Sequence, residues 1–134
     1  MQARRQLKTE IVRQWLAKAE QDYRAMKLII LHEPSLSSLA AFHAQQAAEK
    51  FLKAFLVQHQ IEFPKTHDIR RLLMLVAEAD KVLSESLREA VTLTVYGVDV
   101  RYPGDLPEAD RKDVERAAKL AQQVRRAVRR SLSS

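Results

Sequence analysis

Hydrophobic residues recur every three or four positions along most of the chain, which is the spacing of helices with one buried face. The first such stretch runs from about Lys8 to Leu31. It ends at Glu33-Pro34, because the residue before a proline is disfavoured in the helical region. The pattern predicts a long first helix whose buried stripe comprises Ile11, Trp15, Ala19, Tyr23, Met26 and Ile30.

The second hydrophobic stretch predicts a helix from about Ser37 to His59 that lies at the centre of the fold. Ser37 or Ser38 can cap its start by accepting a hydrogen bond from a free backbone N–H. A helix apolar over so wide a surface contacts two or more neighbours, and its alanines let them approach closely. The apolar positions are Leu39, Ala40, Phe42, Ala44, Ala47, Ala48, Phe51, Leu52, Phe55 and Leu56.

A third helical region is predicted from a cap at Thr66 to about Val95, with a break between Asp80 and Ser84. The residues from Tyr96 to Gly104 follow no regular pattern, and the proline makes Arg101-Tyr102-Pro103 extended.

The last helix is predicted to open near Pro107, a residue suited to a first helical turn. Acidic residues crowd its start and arginines its end, an order that complements the helix dipole. Its buried stripe comprises Val114, Ala117, Ala118, Ala121, Val124 and Val128. Antiparallel helices with short connections predict an all-α, up-and-down bundle of four to five helices.

The composition fits a single helical domain over residues 1–134, with its core at about residues 8–131. Two glycines and four prolines are too few for an all-β fold with many turns. The lack of cysteine excludes disulfides, cysteine-based zinc sites and a thiol nucleophile. No apolar run approaches the length of a membrane span, and no apolar region follows the basic first residues. We therefore expect a cytoplasmic protein with no membrane partner.

The net charge of +6 favours an anionic partner, such as RNA, a nucleotide phosphate or an acidic protein face. Solubility alone is the alternative explanation. An up-and-down topology would gather many of the bases at the pole that holds both chain ends. That predicted pole comprises Arg4, Arg5, Lys53, Lys65, Arg70, Arg71 and the arginines between residues 125 and 130.

The second helix carries polar residues in one line, at spacings of three, four and three: His43, Gln46, Lys50 and Lys53, with Glu49 beside them. An amide and two ammonium groups along a groove between helices could hold a phosphate and base edges. The alternative is the solvated face of a half-buried helix.

Two further segments are candidate anion sites. His67 lies at the predicted start of the third helix, where free N–H groups attract anions, although capping by Thr66 explains the same residues. Arg101 and Tyr102 lie in a loop, where an arginine beside an aromatic ring suits a planar or phosphorylated ligand. The alternative is that Tyr96 and Tyr102 close one end of the core.

Catalytic chemistry finds little support in the sequence. The four histidines show no metal-ligand spacing with one another, and two glycines allow no glycine-rich phosphate loop. We therefore predict no catalytic residue, no metal site and no cofactor.

Four stretches together, in this order and spacing, resemble one known family. They are residues Trp15 to Tyr23, Phe42 to Ala54, Thr66-His67-Asp68-Ile69 followed by Leu72-Leu73, and Tyr96 with Arg101-Tyr102-Pro103. The family is the HEPN domain, named for higher eukaryotes and prokaryotes nucleotide binding. The resemblance implies a homodimer of helical bundles that acts beside a minimal nucleotidyltransferase in toxin–antitoxin-like or stress modules. Nucleotide binding would fall on the polar line of the second helix and on Arg101 and Tyr102.

The sequence departs from this family in one respect. Many HEPN ribonucleases use an arginine followed, after four to six residues, by a histidine, and no arginine here has a histidine at that distance. The resemblance therefore implies a non-catalytic module that binds a nucleotide or another phosphate ligand. A divergent ribonuclease that uses Arg101 with His67 or His43, and a purely structural helical adaptor, are the alternatives.

Overall fold

Five α-helices and one 3₁₀ helix make up the computed structural model of the chain, which describes residues 2–97 and 108–133. The α-helices are α1 (Gln2–His32), α2 (Ser37–Gln58), α3 (Ile69–Ala79), α4 (Lys81–Ser86) and α5 (Arg111–Ser133). The 3₁₀ helix spans Arg88–Tyr96 and precedes the segment between the two described parts. No strand occurs in the described parts of the chain, so the predicted all-α class is confirmed.

The central helix is α2, against which α1, α3, α5 and the 3₁₀ helix all pack. Phe51, Leu52, Phe55 and Leu56 are fully buried, as are the small residues that let the neighbours approach: Ala41, Ala44, Ala47 and Ala48. Leu39, near the start of α2, belongs to the predicted apolar surface but is exposed.

The first helix begins six residues before its predicted start, at Gln2. Residues 2–7 are exposed to solvent along their whole length. Their composition of glutamine, alanine, arginine and leucine favours helix without any burial. A hydrophobic pattern cannot reveal such turns, because they bury nothing.

The connection from α2 to α3 runs back along α2 rather than turning at its end. The backbone carbonyl of His67 accepts a hydrogen bond from the side-chain amide of Gln45, at 3.0 Å. Gln45 lies about 20 Å along the helix axis before Gln58. The start of α3 therefore lies beside the middle of α2. The prediction that Arg70 and Arg71 lie at the end of α2, as part of the basic pole, is therefore wrong.

Aspartates rather than Thr66 cap α3 and α4. The Asp68 carboxylate accepts from the backbone N–H of Arg70, at 3.0 Å, while the Thr66 hydroxyl only accepts from the N–H of Asp68. Asp80 ends α3 and caps α4 by accepting from the N–H of Leu83, at 2.9 Å. The predicted cap at Thr66 is wrong, whereas the predicted break near Asp80 is found.

The 3₁₀ helix has a buried face with a period of three residues. Leu87, Ala90 and Leu93 are all buried, and side chains three apart lie directly above one another in a 3₁₀ helix. The sequence pattern suggested an α-helix here, because a period of three is also compatible with a short α-helical stripe.

The last helix is capped by two aspartates that bond each other's backbone. The N–H of Asp113 donates to the Asp110 carboxylate, at 2.8 Å, and the N–H of Asp110 donates to the Asp113 carboxylate, at 3.0 Å. α5 therefore begins at Arg111, and the predicted start at Pro107 lies outside the described residues. Its predicted stripe is buried except at Ala118, which is half-buried.

α5 runs parallel to α2 and antiparallel to α1. The starts of α2 and α5 are joined by a hydrogen bond from the N–H of Ala109 to the Ser38 hydroxyl, at 3.4 Å. α1 and α5 each pack closely on α2 but touch one another little, so a groove remains between them. None of the helices in the described chain combines the length and the apolarity that a membrane crossing requires.

Candidate functional site

The polar line of α2 is divided between two carboxylates that come from different helices. His43 and Lys50 both contact Asp22 of α1, whereas Lys53 contacts Glu49 of α2 itself. Each carboxylate thus holds one lysine and, as described below, one histidine. The structure brings the predicted residues His43, Gln46, Lys50, Lys53 and His67 to one polar face, and we call this set, with Asp22, Gln45 and Glu49, the α2 polar face.

The Asp22 cluster joins α1 to α2 and is partly exposed. One carboxylate oxygen lies 2.9 Å from Nδ1 of His43, and the other accepts a hydrogen bond from Nζ of Lys50. An ionised carboxylate can only accept, so Nδ1 of His43 carries the proton. In the neutral ring Nε2 is then an acceptor, and it becomes a donor only when the ring is protonated.

The Glu49 carboxylate is buried and fully bonded. The Glu49 side chain is only 3% exposed, and its Oε1 lies 2.6 Å from Nδ1 of His67 and 3.1 Å from Nε2 of Gln45. Its Oε2 accepts from Nζ of Lys53, at 3.0 Å. A carboxylate this deeply buried is stable only with such donors, so these contacts fix the three side chains around it.

Two aromatic rings complete the surroundings of Lys53. Its Nζ lies 5.5 Å from the centre of the Trp15 ring and 5.7 Å from that of the Phe63 ring. The two rings meet edge to face, at 6.1 Å between centroids. The ammonium group therefore has cation–π contacts on its apolar side and a carboxylate on its polar side.

The Gln45 amide connects the Glu49 cluster to the end of the 3₁₀ helix. Gln45 is fully buried, and its side-chain oxygen accepts from Nε2 of Gln46, at 2.7 Å. Gly97 packs directly against it, since a Cβ at Gly97 would lie 2.5 to 2.8 Å from the amide atoms. Gly97 is the last described residue before the segment that carries the predicted site residues Arg101 and Tyr102, which lie outside the described residues.

The charges of the α2 polar face balance when its histidines are neutral. Two ammonium groups, of Lys50 and Lys53, face two carboxylates, of Asp22 and Glu49. Gln46 and Lys53 are buried, so the simple alternative of a solvated helix face does not describe them.

Sequence reasoning missed Asp22 and Gln45, and it placed Glu49 beside the polar line without giving it a role. A signal was present for Gln45 and Glu49, because both interrupt an alanine-rich, apolar stretch of the central helix. Buried polar groups of this kind need partners. Asp22 gave no such signal, since only the packing of α1 on α2 brings it to His43 and Lys50.

A third acidic residue, Glu20, binds two arginines of the predicted basic pole. Its carboxylate accepts from Nε of Arg125, at 2.7 Å, and from the guanidinium of Arg129, at 2.7 Å. Burial by itself would raise the pKa of Glu20, but the hydrogen bonds from the two arginines outweigh it and hold that pKa below its ordinary value. These arginines thus fasten α5 to α1.

Tyr96 and Tyr102 are the two tyrosines that the alternative explanation places at one end of the core. Tyr96 is the last residue of the 3₁₀ helix, and it packs against the core. Burial, together with the nearby Asp113 and Asp110, raises the pKa of its hydroxyl. Tyr96 therefore supports the core, while Tyr102 lies outside the described residues.

Comparison with known proteins places this arrangement in a family. The model of the HEPN domain matches residues 12–131, which include every residue of the α2 polar face. The crystal structure of TT1696 from Thermus thermophilus superposes with a TM-score of 0.68 at 29% identity, over 89% of this chain and 96% of that one. A search among curated proteins finds no match. The match over most of its length shows that this chain belongs to the HEPN domain family.

Proposed function

We propose that this HEPN domain is a non-catalytic module that binds the phosphate of a nucleotide at the α2 polar face. It acts as a homodimer with a minimal nucleotidyltransferase in a toxin–antitoxin-like or stress system. The observation that carries the nucleotide site is the pairing of each carboxylate with one lysine and one histidine on a single face. Such pairing holds four potential phosphate donors in place before a ligand arrives.

A phosphate at this face meets donors that two carboxylates already hold. The face is neutral with neutral histidines, and a terminal phosphate carries up to two negative charges at neutral pH. His43 is faced by Asp22 and Lys50, and His67 by Glu49, with Gln45 and Lys53 on the same carboxylate. His43, Lys50 and His67 are partly exposed, and these are the groups that the phosphate meets first.

Isothermal titration calorimetry with ATP, GTP, AMP and GMP tests the nucleotide site. We expect at least one of them to bind. Lys50→Met should weaken that binding about tenfold, the effect of one charge-assisted hydrogen bond. Lys81→Met is the matched control, because Lys81 is an exposed lysine at the start of α4. No heat with any nucleotide, with or without the partner, would reject the site.

The partner and the lack of catalysis are tested separately. Co-expression with a small nucleotidyltransferase encoded in the neighbouring gene should yield a complex that survives gel filtration, and sedimentation of the free chain should show a dimer. Incubation with tRNA should leave the RNA intact, since no arginine is followed by histidine at the spacing that the ribonuclease members use. Cleavage that disappears in Arg101→Ala would establish the ribonuclease alternative instead.

A further inference from the structure

An open groove runs between α1 and α5, where the two helices diverge over α2. Its volume is about 1040 Å³, and its lining includes Tyr23, Met26 and Ile30 from α1 and Ala118 from α5. Ile30 and Ala118 belong to the hydrophobic stripes that the sequence predicts to be buried. In the structure Ile30 is 37% exposed and Ala118 only half-buried. The groove is thus the place where two predicted core stripes lack a covering neighbour.

The α1 side of the groove exposes large apolar side chains. Leu31 is 72% exposed and Leu28 is 46% exposed, one helical turn apart on the same face. Ile30 also lines an adjoining pocket of about 440 Å³, which Ala40 and Val114 help to form. A contiguous apolar surface of this kind on a folded domain indicates an interaction site.

The rim of the groove is basic. Arg24 and Lys27 flank it on α1, and Lys119 and Arg126 flank it on α5. Within residues 2–97 and 108–133, no carboxylate forms an ion pair with any of these four cations. The one acidic residue of the lining, Glu20, is already bound to Arg125 and Arg129. The groove therefore combines an apolar floor with positive charge on both sides.

We propose that this groove docks an acidic amphipathic helix of a partner protein. The stretch of α1 from Glu20 to Leu31 is about 17 Å long, which matches three turns of a docked helix. A third helix on two antiparallel helices continues the packing of a bundle, at the usual separation of about 8–10 Å. Its apolar positions would lie on Ile30 and Leu31, and its acidic flanks would meet the basic rim on both sides.

The observations favour this occupant over two others. A second copy packed groove to groove around a two-fold axis would place the same basic rims against each other, which is repulsive. A nucleic acid would satisfy the basic rim, but its phosphates gain nothing from the exposed leucines on the floor. Only an acidic and amphipathic ligand uses both features. The inference is independent of the proposed nucleotide site, since it rests on the α1 and α5 residues of the groove.

A designed helical peptide of about 14 residues tests the proposal, with leucines on one face and glutamates on both flanks. One control peptide keeps the leucines and replaces glutamate by lysine, and the other scrambles the acidic sequence. We expect the acidic amphipathic peptide to bind at least about tenfold more tightly than either control in fluorescence anisotropy. In ¹H–¹⁵N spectra its shifts should map to residues that line the groove.

Variants of exposed residues locate the binding without disturbing the fold. Leu31→Ser and Arg24→Glu should each weaken peptide binding at least about fivefold, whereas Val82→Ser and Lys81→Glu, on the exposed surface of α4, should leave it unchanged. Equal binding of all three peptides overturns the proposal. The proposal is also overturned if a polyuridine oligonucleotide displaces the peptide and binds the Leu31→Ser variant as tightly as the natural chain. That result indicates a nucleic-acid surface. If the free chain is a dimer that the Leu31→Ser substitution dissociates, the groove is occupied by a second copy of the chain and the proposal is overturned.

Discussion

Two basic regions of this molecule use the same kinds of residue in opposite ways. On the α2 polar face, Lys50 and Lys53 lie against the carboxylates of Asp22 and Glu49, and the charges cancel. Along the α1–α5 groove, Arg24, Lys27, Lys119 and Arg126 flank exposed leucines and pair with no carboxylate in the described chain. Lysines that a carboxylate holds in place and lysines that no carboxylate holds thus look alike in the sequence. What separates them is whether an acid from another turn or helix lies within reach.

The buried cluster has a structural consequence that the groove lacks. Glu49 binds Gln45 and Lys53 of α2, and His67 from the connection to α3. Gln45 in turn packs against Gly97, at the end of the 3₁₀ helix. One carboxylate therefore ties three segments of the chain together. Loss of a partner here leaves a buried charge unpaired, whereas loss of a groove cation leaves only solvated surface.

The largest expected effect comes from Glu49→Leu. This change should lower the free energy of unfolding by about 3–5 kcal/mol, because Lys53 remains buried without a carboxylate. Urea unfolding followed by circular dichroism measures the loss. The double variant Glu49→Leu/Lys53→Leu should recover at least half of it, since a buried pair replaced by apolar residues is often tolerated. A single variant as stable as the natural chain would contradict the idea that this cluster holds the fold.

Gly97→Ala should lower the unfolding free energy by about 1–3 kcal/mol, the usual effect of overpacking. The new Cβ would lie 2.5 to 2.8 Å from the amide of Gln45, which is fully buried, so a shift would break its hydrogen bonds to Glu49 and to the His67 carbonyl. Chemical denaturation measures the loss, and the same change in a Gln45→Ala background provides the control. Equal losses in both backgrounds would show that the close approach to Gln45 is not the cause.

Glu20→Gln should have a smaller and pH-dependent effect. The folded pKa of Glu20 lies below its ordinary value of 4.5, so the ionised form stabilises the folded chain. The contribution is complete above pH 4.5 and disappears as the pH falls through the folded value. Because the pair is partly exposed, we expect a loss of about 1 kcal/mol or less at pH 7. Thermal melts of both chains should converge toward pH 3, and a constant difference at all pH values would argue against this assignment.

The smallest effect is expected from the rim of the groove. Lys119→Ala and Arg126→Ala should each change the unfolding free energy by less than about 0.5 kcal/mol, because both side chains are exposed. Parallel denaturation of these variants and of Glu49→Leu sharpens the contrast between the two regions. A loss comparable to that of Glu49→Leu would show that the rim is structural rather than available to a partner.

Much of the fold was predictable because its signals are local. The spacing of Ala19, Tyr23 and Met26 predicted the buried face of α1, and the alanines and phenylalanines of α2 predicted a central helix. The break at Asp80 was predictable from chain chemistry as well. The cap at Thr66 was not, because Asp68 competes for the same role two residues later. The exposed first turns of α1 were missed because they leave no hydrophobic pattern.

The candidate site was predictable only in part. The spacing of His43, Gln46, Lys50 and Lys53 shows that they share one side of a helix, and the structure keeps them there. The spacing does not show that Asp22 and Glu49 divide these residues into two clusters, because Asp22 approaches from another helix. The prediction of the basic pole was wrong for a related reason. The connection after α2 runs back along that helix, so α3 begins beside the middle of α2.

The sequence by itself determined that this protein is an all-helical bundle around a central second helix, because periodicity and breakers act over a few residues. Its family motifs are likewise readable from the chain. Only the tertiary structure decided which charges lie against a carboxylate and which do not. It also decided that the stripes of Ile30 and Ala118 end in an open groove rather than in the core. The physical reason is that helical spacing fixes which side of a helix a residue occupies, whereas pairing and burial depend on what another helix places opposite it.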